Sequence, residues 1–265
     1  MDGPLAAVEL HNVAIEFAVK SGARFKAVAP TSLTVHVGEF VSIVGPTGCG
    51  KSTLLNAAGG LIRPASGSVA LFGKVFTGLN PEAGYLFQQD ALMPWKSARD
   101  NVAIAVEVAG VPRRTAIEQA EHWLEKVGLA KFGDRYPHQL SGGQRKRVGL
   151  AQVLFRQPKI LLMDEPFGPL DAQTRQIMGN LLLDLWASDR KAVLFVTHDL
   201  EEAIALSDRV VIMSAGPEAR IIGDYLIDLP RPRDTAEIRL KPRFHDLHSQ
   251  LWSSLKAEVV KTYST

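Results

Sequence analysis

Gly45-Pro46-Thr47-Gly48-Cys49-Gly50-Lys51-Ser52 is the stretch on which the reading of this chain turns. It fits the pattern G-x-x-x-x-G-K-[ST] of a phosphate-binding loop. An apolar, β-rich run (Phe40-Val41-Ser42-Ile43-Val44) precedes it, and a helix-compatible run (Thr53-Leu54-Leu55-Asn56-Ala57-Ala58) follows. Between a strand and a helix, the glycines let successive backbone N–H groups curl into an anion nest. The helix adds the positive end of its dipole. Lys51 is then expected to reach the β- and γ-phosphates of a nucleoside triphosphate, with the Ser52 hydroxyl on Mg²⁺. A plain glycine-rich turn is the alternative, and the correct flanks count against it. Cys49 lies inside this loop, beside Lys51 and a helix N-terminus, so a lowered thiol pKa and a reactive thiolate are expected.

Working outward, four apolar residues at 160–163 lead into Asp164-Glu165. A buried strand ending in two carboxylates places them at the carboxyl edge of a sheet, where open α/β folds bind ligands. Asp164 is expected to hold Mg²⁺ through its water shell, and Glu165 to orient or deprotonate an attacking water. An α/β rhythm follows: a helix over 174–186, a strand over 192–196, a helix over 200–206 and a strand over 209–213. That alternation predicts a parallel sheet with helices on its faces. Before the loop, residues 5–44 alternate as strands do and read as an antiparallel β subdomain, joined by a second β piece at 67–76. The middle of the chain is helical. Pro112 opens a run that puts Ile117, Ala120, Leu124 and Val127 on one face, with Gly128 as its stop.

Leu140-Ser141-Gly142-Gly143-Gln144 reads locally as a helix start, with Ser141 as N-cap and Gln144 completing a capping box. Its two glycines leave backbone amides bare, a second anion site with no lysine. The pentapeptide resembles the signature motif of ATP-binding cassette (ABC) ATPases, in which this segment of one subunit closes over ATP held by the phosphate loop of another. The resemblance runs roughly from residue 8 to 215, with the family's motifs in order. It implies an α/β P-loop NTPase core with a parallel sheet, an antiparallel β subdomain and an inserted helical subdomain. The ABC ATPase domain would span 1–228, with the helical part at about 90–158. Residues 229–265 would supply a stiff Pro/Arg linker and an amphipathic C-terminal helix that packs on the domain or meets a partner or membrane.

The resemblance also implies roles. Residues 45–53, through Thr53, would cradle ATP, and Ser141, Gly142, Gly143 and Gln144 would cover it. Asp164 and Glu165 match the metal-holding and catalytic carboxylates. In Phe87-Gln88-Gln89, Gln88 (or less favourably Gln89) would coordinate Mg²⁺ or water, and His198 would contact the γ-phosphate. Phe17 would stack on adenine, with Phe25 competing because the Lys20-Ser21-Gly22-Ala23-Arg24 stretch looks inserted. Arg145-Lys146-Arg147 read as a solvated helix face. The family's Ser-Ala-Leu-Asp loop is here Gly168-Pro169-Leu170-Asp171; Asp171 is kept, but Pro169 fixes φ and deletes an N–H. Leu92-Met93-Pro94-Trp95 is too apolar for an ordinary loop, and is either core or the groove that receives a membrane subunit.

At 265 residues the chain holds one large α/β domain with an insertion or tail, and a net charge of +2 gives no reason to expect a nucleic-acid partner. A single cysteine excludes an intrachain disulfide and suits a reducing compartment. Met1-Asp2-Gly3-Pro4 does not open a secretory signal, and no apolar run approaches the ~20 residues of a membrane span. The expected setting is therefore peripheral, at the cytoplasmic face of the cell membrane. The expected assembly is a homodimer of ATPase subunits attached to integral permease subunits and served by a solute-binding protein. Within the family, Met93-Pro94-Trp95, the 228–234 segment and the helical tail resemble the nitrate/sulfonate/taurine importer group.

Overall fold

The computed structural model describes residues 4–18 and 23–263. In chain order the elements are strands β1 (Ala6–Ala18), β2 (Arg24–His36) and β3 (Phe40–Val44), helix α1 (Lys51–Ala58), and strands β4 (Ser66–Leu71), β5 (Lys74–Val75) and β6 (Ala83–Leu86). Helices α2 (Ala98–Glu107), α3 (Arg113–Lys126) and α4 (Gly142–Phe155) follow. The chain then alternates through β7 (Ile160–Asp164), α5 (Ala172–Ser188), β8 (Ala192–Val196), α6 (Leu200–Leu206), β9 (Arg209–Met213), β10 (Ile221–Leu226) and α7 (Pro242–Tyr263).

Two sheets form. A six-stranded sheet has the order β10-β9-β3-β8-β7-β6, parallel except for β10 against β9. A four-stranded antiparallel sheet has the order β2-β1-β4-β5. The alternating run at 5–44 therefore divides between them. Residues up to His36 build the antiparallel sheet, and β3, buried at every position, crosses into the parallel one. The division follows from pattern: β1 and β2 mix buried with exposed positions, as a sheet open on one side does, whereas β3, β7 and β8 are buried almost throughout and covered on both faces.

The period-two geometry of those central strands sorts their side chains into two cores. Val41, Ile43, Ile160, Leu162, Leu194 and Val196 face α1 and the antiparallel sheet. Phe40, Leu161, Met163, Val193 and Phe195 face α4 and α5. A separate core between α2, α3 and α4 includes Val102, Ala120, Leu124 and Val148, which gives the helical segment its own packing. The α3 stop is as read, with Gly128 at a φ of +72° just beyond the helix.

The 229–234 segment is docked and does not act as a spacer. Arg233 is buried and donates to the carbonyls of Ser207 (2.7 Å) and Leu229 (2.8 Å), while burial pulls its pKa down to about 10. The Arg231 guanidinium bonds Asp208 at 2.8 Å and covers the Trp186 ring at 4.3 Å from its centroid. Phe244, Leu247, Leu251 and Leu255 of α7 then close a core with α6 and with Val44, Val210 and Ile212, so the apolar face of α7 is spent on the domain itself. Among the described residues, no helix is long and apolar enough to cross a membrane.

Candidate functional site

The parallel strands β3, β7 and β8 end together, and the loops that leave them carry the chemistry. After β3 the loop turns through Gly48 (φ +77°) and Gly50 (φ +97°) before α1 starts. Gly50 is required twice: a Cβ there would sit 2.9 Å from Val28 Cγ2, in a backbone conformation that side chains avoid. The loop wraps the Lys51 ammonium, which is only 5% exposed and donates to the carbonyls of Gly45 (2.9 Å) and Pro46 (3.0 Å). A cation held by neutral carbonyls alone lacks a full counter-charge, and an anion seated in the nest would supply it.

Ser52, one residue on, donates from Oγ to Asp164 Oδ1 at 2.7 Å, tying the start of α1 to the end of β7. Burial raises the Asp164 pKa, against the Ser52 bond, which lowers it. A half-buried carboxylate beside a hydroxyl is a hard oxygen donor set that suits Mg²⁺, whose remaining positions go to water and phosphate.

Glu165 follows in an unusual backbone state, φ +41°, held by its N–H on Val196 O at 2.9 Å and by Gly168 N–H on its own carbonyl at 3.2 Å. That conformation turns the carboxylate toward β8, where Glu165 Oε2 meets His198 Nδ1 at 2.9 Å. The His198 side chain is 52% exposed, so one ring nitrogen is engaged while the ring as a whole stays open to a ligand. The loop therefore brings Lys51, Ser52, Asp164, Glu165 and His198 to one edge of one sheet. A carboxylate, an imidazole and an anion nest there can bind a polyphosphate and take a proton from water.

Cys49 corrects its sequence reading. The side chain points under the loop into the main core, 1% exposed, and a Cβ on Gly45 would meet its Sγ at 2.9 Å. Burial raises its pKa, outweighing the pull of Lys51. The sequence showed the nearby cation but could not show which way the thiol points.

The signature segment forms the expected cap. Ser141 Oγ accepts from Gln144 N–H at 3.2 Å, and Gln144 Oε1 accepts from Ser141 N–H at 2.9 Å. Among the described contacts no hydrogen bond joins Ser141–Gln144 to residues 45–53. The segment shares a cleft with Gln88, Pro169 and Leu170 instead. The Gln88 side chain is exposed, and no hydrogen bond takes it to Ser52 or Asp164; its carbonyl accepts from Lys146 at 2.6 Å.

Lys146 is thus no solvated residue: it is 4% exposed, bonds Asp90 at 3.0 Å and fastens the glutamine loop to α4, while Arg145 reaches the same carboxylate at 2.7 Å. Helical spacing marks this face only weakly, because long basic side chains alternate between solvent and tethering roles. Asp171 caps α5, accepting from Thr174 N–H at 2.9 Å and from its hydroxyl at 2.6 Å, bonds that hold its pKa down. Phe17 and Phe25 sit opposite one another across β1 and β2, both substantially exposed, so the two adenine candidates share one patch. Lys20, Ser21 and Gly22 of the stretch read as inserted lie outside the described residues.

The fold has known counterparts. The family model described as ABC transporter matches residues 28–168. The nitrate import ATP-binding protein of Synechococcus elongatus is 43% identical over 230 residues, 85% of this chain and 83% of that protein. The chain belongs to the ABC transporter family. A taurine import ATP-binding protein of Roseobacter denitrificans is 38% identical over 243 residues, covering 91% and 90% of the two chains. A solved ABC cassette, described as dimeric in a post-hydrolysis state with ADP and phosphate, superposes with a TM-score of 0.74 at 30% identity, over 84% of this chain and all of that one. Membership makes this chain an ATP-binding, ATP-hydrolysing protein coupled to transport.

Proposed function

We propose that this ABC ATPase drives an importer for a small anion of the nitrate, sulfonate or taurine kind, at the cytoplasmic face of the cell membrane. Two copies bind two ATP molecules, each held by residues 45–53 of one copy and covered by Ser141–Gln144 of the other. Among the described residues, 140–144 make no hydrogen bond to the phosphate loop of their own chain, which is the observation that carries this arrangement. Lys51 and the loop amides bind the phosphates, and Phe17 with Phe25 offers an aromatic patch for adenine. Ser52 and Asp164 would hold Mg²⁺, with Gln88 as a further ligand, and the ion would supply charge neutralisation at the transferring phosphoryl group. Glu165 takes the proton of the attacking water, and His198 orients Glu165 while its free edge faces the γ-phosphate.

Transport direction rests on the importer names of the relatives and on the surface beside the helical core. An apolar groove of about 470 Å³ is lined by Leu61, Leu79, Met93, Ile104 and Val108. In the nearby 92–95 loop Leu92 packs against the helical core, while Trp95 is 73% exposed and free to meet a partner. The groove suits a short helix of a permease subunit. Trp95→Ala is expected to leave basal ATPase of the isolated chain unchanged while lowering assembly and uptake. Unfolding of the isolated variant would contradict this. Glu165→Gln tests the chemistry: turnover falls by about 10²–10⁴-fold while MgATP binding persists and a nucleotide-bound dimer accumulates. Near-normal turnover would remove Glu165 from its role.

A further inference from the structure

Arg175 occupies the first turn of α5, four residues after its Asp171 cap. A cation there opposes the positive end of the helix dipole, which the Asp171 carboxylate at the cap already serves. The helix itself has no use for this arginine. Its partners lie elsewhere. Nη1 bonds Asp199 Oδ2 at 2.7 Å, and Nη2 bonds the carbonyl of Leu170 at 3.1 Å.

Both partners adjoin the reacting groups. Asp199 directly follows His198, and its other oxygen caps α6 by accepting from Glu202 N–H at 3.1 Å. Its own N–H donates to Thr197 Oγ1 at 3.0 Å. Leu170 closes the turn that begins at Glu165: its N–H bonds Phe167 O at 3.0 Å, and Gly168 N–H bonds Glu165 O at 3.2 Å. A Cβ on Gly168 would lie 3.8 Å from both Glu165 Oε2 and His198 Cε1. Pro169 in the middle of this turn has no N–H to anchor it. The guanidinium is the group that spans from this turn to the histidine loop.

We propose that Arg175 is a positioning residue for ATP hydrolysis, one that fixes the Glu165–His198 pair by clamping the Gly168–Asp171 turn to Asp199. Its rigid planar fork meets two acceptors on separate segments in one fixed geometry, which the shorter-reaching point charge of a lysine does not hold. The inference rests on the assignment of Glu165 and His198 to the hydrolytic step. It predicts a loss that appears in turnover and not in nucleotide binding.

The test uses the purified full chain with MgATP. Arg175→Met is expected to lower kcat by up to about a hundredfold, the scale of a misplaced reacting group, with KM and directly measured ATP affinity within about twofold of the parent. Arg175→Lys should recover part of that loss. Asp199→Asn keeps an oxygen to cap α6 and serves where Arg175→Met folds poorly; it should repeat the kcat-specific loss. The double variant should be no slower than the worse single one. Unchanged kcat in folded Arg175→Met or in Asp199→Asn overturns the proposal. So does a loss that falls equally on ATP affinity, or a double variant in which the two losses multiply. Glu165→Gln run alongside separates the two claims. If it is inactive while Arg175→Met is normal, only the clamp falls; if it turns over normally, the hydrolytic assignment falls and takes the clamp with it.

Discussion

At the start of α1 the backbone bends through two left-handed glycines and closes on a buried ammonium that has only carbonyls for company. At the start of α4 two glycines form part of the first turn itself, Ser141 and Gln144 satisfy each other, and the segment lies open beside Gln88 and Pro169. The first helix start is charged, enclosed and short of an anion. The second keeps its cations, Arg145 and Lys146, on Asp90 and is capped within itself. One can bind a phosphate by itself; the other can only contribute to a site that something else has already built. That asymmetry is what the proposed two-chain ATP site requires.

The largest expected effects separate the two starts. Lys51→Ala should abolish ATPase and weaken MgATP binding by a hundredfold or more, on the order of a lost buried charge–phosphate contact. Ser141→Arg should abolish ATPase equally but leave MgATP binding to the isolated monomer within about twofold. Equal loss of binding in both, measured by nucleotide titration of the monomer, would erase the distinction.

A stability effect comes next, from the loop that carries His198. Glu202 sits in the first turn of α6, buried, accepting from Thr197 through Oε2 while Oε1 has no hydrogen-bond partner. Burial raises its pKa from 4.5 to about 7. Across that window the folded state holds the proton more tightly than the unfolded chain. Stability therefore falls as pH rises from about 4.5 to 7 and levels off above, with about 3 kcal/mol at stake. Glu202→Gln should flatten this component in denaturant melts at pH 5 and pH 8. An unchanged difference between the two would assign the pH dependence elsewhere.

Smaller still, Ser141→Ala should cost about 1 kcal/mol of stability, the usual worth of an N-cap. Measured by denaturant unfolding, no change would mean that the exposed cap is made only when a partner covers it. Cys49 should give the smallest signal of all: a maleimide added to the folded chain, with or without MgATP, should leave it unlabelled. Rapid labelling would mean that the loop opens far enough to expose its core side.

Much of this was legible in the sequence for a physical reason. The phosphate loop, the two carboxylates after β7 and the histidine after β8 all depend on local strand–loop–helix grammar, and each falls where that grammar puts it. What escaped was side-chain direction. Cys49 turns inward because Gly45 leaves room for its sulfur, and no periodicity reports that. The pattern puts Lys146 on a solvated helix face and Arg233 in a stiff linker; both are buried against carbonyls contributed by distant segments. Nothing in the sequence pattern singles out Arg175, because its partners, Leu170 and Asp199, come together only when α5 and α6 dock. Local pattern finds groups that act on a ligand more readily than groups that hold other groups in place.

Mixing two inactive variants tests the division of labour between the helix starts most directly. Lys51→Ala and Ser141→Arg chains are combined under conditions in which mixed dimers are shown to form, and ATPase is followed as the ratio is varied. Half the dimers at equal mixing are mixed, and each carries one of its two sites intact, so activity should return to about a quarter of the parent rate. Activity that stays at the level of the separate variants at every ratio would contradict the account, because it would place both helix starts at an ATP site within one chain.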